Sequence, residues 1–211
     1  MITRRLDPTD IDAAVEVLVS AFAGDPLLVW ACGARERAGM AASCRMNCVL
    51  WTEARTAYGT FDQGRLVAVA LYHPPNEHVS TWRSLRAGFW RMPFAAGVVA
   101  TQRIIETFAV AERFKASLLA GQPHFYLDTL GVHRRVARRG IGPRLLLDSL
   151  ADLRLQQAEP CFLFTHLPEN VTLYQRLDFD LIGECAVPGT PITFWAMRQM
   201  TPALPPSAPA D

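Results

Sequence analysis

Between an apolar stretch and an amphipathic one, the chain places Val132-His-Arg-Arg-Val-Ala-Arg-Arg-Gly-Ile-Gly-Pro-Arg-Leu-Leu146, a glycine turn studded with arginines. This segment constrains the fold because it demands a strand before it and a helix after it. Gly140 and Gly142 are open to backbone angles that a side chain forbids, so several N–H groups can face one concavity at the positive end of that helix. Pro143 suits the first helical position, where a missing N–H costs nothing. Leu145, Leu146, Ser149, Leu150 and Leu153 then recur at the spacing of a buried face, with Arg144, Asp148, Asp152 and Arg154 mostly opposite. Four arginines at 134, 135, 138 and 139 favour a polyanionic ligand over a neutral one. A tight turn in a solvated, charged loop is the plain alternative. The dinucleotide fingerprint fails at Leu145, where its third glycine belongs, and no Gly-Lys-Ser/Thr loop is present, which argues against a nicotinamide or P-loop nucleotide site.

With 211 residues, half of them hydrophobic, the chain can bury a sizeable core, and residues 1–200 read as one domain followed by a disordered tail over 201–211. The first residues lack an apolar signal region, and no long apolar run suggests a membrane span. A cytoplasmic location is the default expectation. Five cysteines without a C-x-x-C pair read as reduced thiols rather than disulfide or metal ligands. A net charge of +1 argues against a broad basic nucleic-acid face, leaving only the 134–139 arginines for a nucleic-acid reading.

Ile2 to Leu6 reads as a strand, and Pro8 starts a helix with Ile11, Val15, Leu18, Val19 and Phe22 inward, stopped by Gly24-Asp25-Pro26. A helix over roughly 35–52, strands at 57–61 and 65–72, and a loop at 74–80 follow. From Trp82 to Leu119 the pattern is helical and interrupted at Pro93, with Ile104, Ile105, Phe108, Ala111, Phe114 and Leu118 as its core face. The expected order beyond is strand 124–132, helix 142–157, strand 160–166, helix 170–177 and strands 179–187 and 191–199.

The loop resembles that of the GNAT N-acetyltransferases, which reads Gln/Arg-x-x-Gly-x-Gly/Ala. Phe125-Tyr-Leu-Asp-Thr-Leu-Gly-Val132 resembles the family's splayed central strand, and Asn170-Val-Thr-Leu-Tyr-Gln-Arg-Leu-Asp-Phe179 its later Asn-to-Phe segment, in the same order and spacing. Ala21 to Pro26, Phe162 to Asn170 and Val187 to Met197 are similar to the puromycin N-acetyltransferase branch. The likeness spans most of the chain and is densest over 124–198. Ala137 replaces the usual Gln or Arg, and Asp178 the glycine before Phe179; a loop that works through its amides tolerates the first, and a turn tolerates aspartate.

The resemblance implies an α/β GNAT fold, a mixed central β-sheet with splayed strands flanked by helices, with a helical cap inserted at about 81–120. It implies acetyl-CoA as co-substrate, held by Leu130, Gly131 and Val132, by the loop residues Arg138, Arg139, Gly140, Ile141, Gly142, Pro143 and Arg144, and by Asn170 and Tyr174, with no metal. The implied activity passes the acetyl group directly to a primary amine of a small molecule, antibiotic-like in the puromycin branch. A protein or peptide amine is the alternative acceptor, and a catalytically inactive acyl-CoA-binding regulatory protein is the alternative role.

Such a transfer needs a deprotonated nucleophile, a polarised carbonyl and a proton for the departing thiolate. Tyr174 lies one helical turn after Asn170, and the resemblance implies that it faces the thioester sulphur as general acid. A main-chain N–H would meet the carbonyl where the central strand bulges, around Leu130 to Val132. Tyr126 and Asp128 share one strand face, and Asp128 is the candidate base or ammonium anchor. His166, at the end of the next strand, is the alternative base because histidine titrates near neutrality. Cys161, beside Phe162, Leu163 and Phe164, reads as core rather than as an acyl carrier. The acceptor is expected under the cap, among Trp30, Trp82, Phe89 and Trp90 near Asp25 and Glu53, with Asp25, Trp30, Trp82 and Tyr126 as candidate substrate contacts. The expected partner is a small amine, with neither nucleic acid nor membrane, for a monomer or homodimer.

Overall fold

The computed structural model describes residues 1–77 and 79–200, so the expected disordered tail lies outside the described residues. Seven strands form one sheet: β1 (Ile2–Arg5), β2 (Ala57–Asp62), β3 (Arg65–His73), β4 (Phe125–Val132), β5 (Cys161–Thr165), β6 (Asp180–Ala186) and β7 (Thr193–Gln199), in the order β1-β2-β3-β4-β5-β7-β6. Every pairing is antiparallel except β4 with β5, as two strands joined by a crossover helix require. That helix is α7 (Ile141–Arg154). The architecture is the α/β fold expected, a mixed sheet flanked by helices.

Alternation along β3 sorts the core into two layers. Ala68, Ala70 and Tyr72 face the apolar stripe of α7, while Val69 and Leu71 face α1 (Ile11–Ala21) and α3 (Glu36–Glu53). The stripe contains the leucines and Ser149 named from periodicity, all buried. Ser149 earns its place by bonding Tyr72, 2.7 Å between oxygens, which partners a phenol that no water reaches. At the sheet edge Tyr58 donates to Asp152 at 2.7 Å and Arg5 reaches the same oxygen at 2.6 Å, tying β1 and β2 to α7.

α1 lies against β4 because Gly131 offers no side chain: a Cβ there would sit 2.7 Å from Leu18 and 3.1 Å from Ala21. The glycine is explained by packing on that face. After α1 the chain does more than stop. Asp25 accepts from the N–H groups of Leu27 and Leu28, Pro26 occupies the first turn, and a short helix α2 (Pro26–Cys32) begins. Asp-Pro was both a stop and a start, the pairing of an N-cap with proline at N1.

The cap comprises α4 (Thr81–Arg86), a 3₁₀ turn (Phe89–Arg91), α5 (Met92–Ala95) and α6 (Val98–Leu119). Its breaks are not at Pro93, which rides in the first turn of α5 without losing a bond. They fall at Gly88 and Gly97, with φ of +109° and +97°. Of the expected core face, Ile104 and Ala111 are buried, whereas Ile105 and Phe108 remain open on one side. α8 (Pro168–Gln175) precedes β6, and Asp178 takes the left-handed turn (φ +62°) that the usual glycine would take.

β4 and β5 pair only from Phe125 to Leu127 against Cys161 to Leu163, then part. The bulge that accompanies this lies opposite Leu71 and Tyr72, where Leu127 and Thr129 are successive partners and Asp128 is the extra residue. It was expected at 130–132, two residues later. Counting from the N–H of His133, which donates to Val67, Gly131 and Thr129 direct their amides to β3, and Leu130 and Val132 present theirs to the opening.

All four tyrosines of the chain, at 58, 72, 126 and 174, have phenols raised above their ordinary value, in each case first by burial. An unfolded chain ionises its tyrosines near pH 10, and the folded one resists, so this contribution is complete below about pH 10 and declines as pH rises further. Alkaline titration should show almost no tyrosinate absorbance from the native protein until a cooperative transition releases all four together. Gradual, independent ionisation with native circular dichroism would contradict the burial.

Candidate active site

The parted strands enclose a cleft of about 180 Å³. Its floor is Tyr126, Asp128 and Leu130 on β4, one wall is Phe164 of β5 with His166 just beyond it, and α8 contributes Asn170 and Tyr174. The opposite side is built from Phe22 and Asp25, from Met40, Cys44 and Asn47 on α3, and from Ile104 and Phe108 on α6. Apolar groups therefore surround a few polar ones, the composition of a small-molecule site.

Two carboxylates in this cleft are held quite differently. Asp25, 8% exposed, caps α2 with Oδ1 and meets Nε2 of His166 with Oδ2 at 2.8 Å. A carboxylate oxygen accepts, so Nε2 carries the hydrogen of this bond, and Nδ1 has no hydrogen-bond partner among the described residues. Asp128 is held by three side chains instead. Its Oδ2 accepts from Asn47 at 2.9 Å and from Thr129 at 2.7 Å, and Oδ1 lies 3.3 Å from Nε2 of His73. His73 is itself fixed, its ring 3.8 Å from that of Trp51 and edge-on to Tyr126.

Tyr174 is buried against Phe179, and its hydroxyl bonds no described residue although the side chain borders the cleft. Burial raises its phenol, with a smaller contribution from Cys161, so it stays protonated. Asn170 bonds Thr165 across the β5 turn at 3.3 Å. Cys161 is core, as expected, with its thiol pushed up to about 12 by burial. Cys44 does reach the cleft, but burial raises it further still, so neither thiol is a nucleophile.

At the other end of the opening, Arg138 (φ +64°) and Gly140 (φ +73°) alternate with ordinary residues, and Gly140 caps α7. Among the described residues, the N–H groups of Arg138, Arg139, Gly140, Ile141 and Gly142 have no protein acceptor, which makes an anion-binding nest at a helix start. Details differ from expectation. Gly142 is helical and its φ is ordinary; what excludes a side chain is Val132, 3.2 Å from where a Cβ would be. Pro143 is the third helical residue rather than the first, and its absent N–H still falls in the unbonded first turn. Arg144 pairs with Asp148, Arg134 is tied to the Ala23 carbonyl and Arg135 borders a separate groove beside α1, whereas Arg138 and Arg139 flank Gly140 and pair with no carboxylate among the described residues.

The structure does not gather every expected residue. Trp82 and Trp90 are largely exposed on the cap, and Glu53 is exposed at the end of α3. Trp30 packs beneath Arg103, with Phe89 joining the same cap cluster. None of these borders the cleft. Trp82 and Trp90 face outward and Trp30 and Phe89 pack within the cap, a division that helical spacing alone could not show. Sequence reasoning missed Asn47 and His73. Asn47 carried a signal, as an amide in the stripe Met40, Cys44, Cys48 and Trp51, because a polar group on a buried face needs a partner.

The same fold occurs in a histone acetyltransferase HPA2 and related acetyltransferase from Corynebacterium glutamicum, 24% identical, covering 97% of each chain with a TM-score of 0.64. It also occurs in a Drosophila melanogaster polyamine N acetyltransferase that forms N acetylagmatine, 15% identical over 94% of this chain and 99% of that one, TM-score 0.62. A ribosomal-protein-alanine N-acetyltransferase from Brucella melitensis is 14% identical over 95% and 99%, TM-score 0.58. No protein-family model and no curated protein sequence matches the chain. At these identities the likeness establishes the fold, that of the GNAT N-acetyltransferases.

Asp25 has two separable duties. Asparagine caps as well as aspartate, so Asp25→Asn should leave urea stability nearly unchanged, whereas Asp25→Ala should lose about 0.5–2 kcal/mol. Equal losses for both would show that the His166 contact, not the cap, carries the stability.

Proposed function

We propose that this chain transfers the acetyl group of acetyl-CoA to the primary amine of a small molecule. The observation that carries this reading is an unpartnered, protonated Tyr174 in a cleft whose strand edge ends at a nest of amides without protein acceptors. The nest at 138–142, with Arg138 and Arg139, suits the diphosphate of coenzyme A, and the open N–H groups of Leu130 and Val132 suit an extended amide chain and a thioester carbonyl. Tyr174 would protonate the leaving sulphur, and a phenol kept neutral by burial is always charged with that proton.

His166 is the proposed base. Asp25 orients it through Nε2, and the free Nδ1 takes the proton of the ammonium directly or through water. Asp128, held in place by Asn47, Thr129 and His73, acts as a fixed negative charge that draws and orients the ammonium. Tyr126 and Phe108 would flank the acceptor's apolar part. A cleft of about 180 Å³ bordered by α3 and α6 has room for a small acceptor, in keeping with the resemblance to the puromycin branch.

Calorimetric titration with acetyl-CoA should show saturable binding, and a panel of small amines should yield steady thiol release. No saturation with folded protein would refute the cofactor assignment, and binding without thiol release from any amine would support an acyl-CoA-binding role instead. Gly140→Val, which forces a side chain into a left-handed position, should weaken acetyl-CoA binding by about tenfold or more. Tyr174→Phe should lower kcat by about a hundredfold or more while the Kd for acetyl-CoA holds, since a general acid acts only as the bond breaks. An undiminished kcat in that variant would remove Tyr174 from the chemistry.

A further inference from the structure

The cap carries a face for which the proposed reaction has no use. Trp82 is 71% exposed, Trp90 53%, Phe94 80% and Val98 71%, with Val99 next to it in sequence, all within α4, the 3₁₀ turn, α5 and the first turn of α6. Large exposed apolar side chains gathered in one stretch of chain, with Trp90 against Phe94, fit a surface that meets something apolar. The same stretch is charged with one sign: between Glu77 and Glu106 the chain has Arg83, Arg86, Arg91 and Arg103 and no aspartate or glutamate. Arg83 pairs with Glu77 and Arg103 bonds the Trp30 carbonyl, whereas Arg86 and Arg91 meet no carboxylate among the described residues. Arg91 instead lies over the Trp90 ring at 5.2 Å, and Trp90 meets Phe94 edge-on at 6.4 Å.

We propose that this face docks on an anionic lipid surface. Tryptophan and arginine stacked on each other suit the headgroup layer, where an indole keeps one polar end wet and a guanidinium binds phosphate, while Phe94 and Val98 reach the acyl boundary. The charge pattern selects this occupant over a second copy. A twofold self-pairing would set Arg86 and Arg91 against themselves with no opposing acid, a repulsion that anionic headgroups turn into attraction. No single described helix is long and apolar enough to cross a membrane, so the attachment is peripheral. α6 runs from this face to the cleft, where it supplies Ile104 and Phe108, so docking would hold the acceptor entrance near the lipid interface.

Co-sedimentation tests this directly, with the full chain and vesicles of phosphatidylcholine alone or mixed with an equal amount of phosphatidylglycerol. Binding is expected to the mixed vesicles only, with a blue shift in tryptophan emission and release by salt. The double variants Trp90→Ser with Phe94→Ser and Arg86→Gln with Arg91→Gln should each lose at least about tenfold in partitioning while keeping native circular dichroism. Absence of binding, equal binding to neutral vesicles, or binding that both variants retain would overturn the proposal. So would a lipid-free dimer that the Trp90 and Phe94 variant dissolves, because a second copy would then cover the face.

Discussion

The separation of β4 from β5 is the constraint on which the rest depends. Each strand is held by the neighbour on its far side: β4 runs beside β3 to Val132, and β5 pairs with β7 through Thr165. The extra residue at Asp128 reverses the alternation of β4, so amides that would have pointed toward β3 point into the gap. A sheet interior is ordinarily where backbone groups are most completely bonded. Here a stretch of it is left unbonded by the protein, and under the proposed reading the cost of those amides favours binding a ligand.

The cleft also shows how one residue type is given two characters by its surroundings. Asp25 and Asp128 border the same space, but Asp25 spends one oxygen on a helix cap and the other on an imidazole, whereas Asp128 is bonded by Asn47, Thr129 and His73. Under the proposed reading, the first would respond to a proton's movement at His166, and the second would exert its charge on the acceptor. Their partners come from the start of α2, the end of β5, α3 and β3, so the distinction exists only when all of these are docked. Under the proposed reading, this is how an amine would be both attracted and deprotonated without a single group doing both.

Much of the frame was legible along the chain because it rests on short-range rules. The apolar stripe of α7, the alternation of β3 and β4, the turn at Asp62 to Gly64 and the glycine start of α7 each follow from periodicity or from local backbone preference, and each is present. The errors share a cause. The bulge was placed two residues late and the cap was broken at Pro93 instead of at Gly88 and Gly97, because strand register depends on the partner strand and glycine breaks depend on what the helix must turn to meet. Trp30 and Trp82 were assigned to the acceptor site on aromatic character, which says that a residue is buried or binds something but not which.

What the amino-acid order determined by itself is the succession of strands and of the longer helices, the amide nest at the start of α7, and the presence of Tyr174, Asp128, His166 and Asp25 as chemically able groups. Tertiary structure alone decided that Asp25 belongs to His166, 141 residues away, and Asp128 to Asn47, 81 residues away. The reason is that periodicity and capping act within a few residues, whereas a hydrogen bond between distant side chains is chosen by how whole elements pack, which no local pattern encodes.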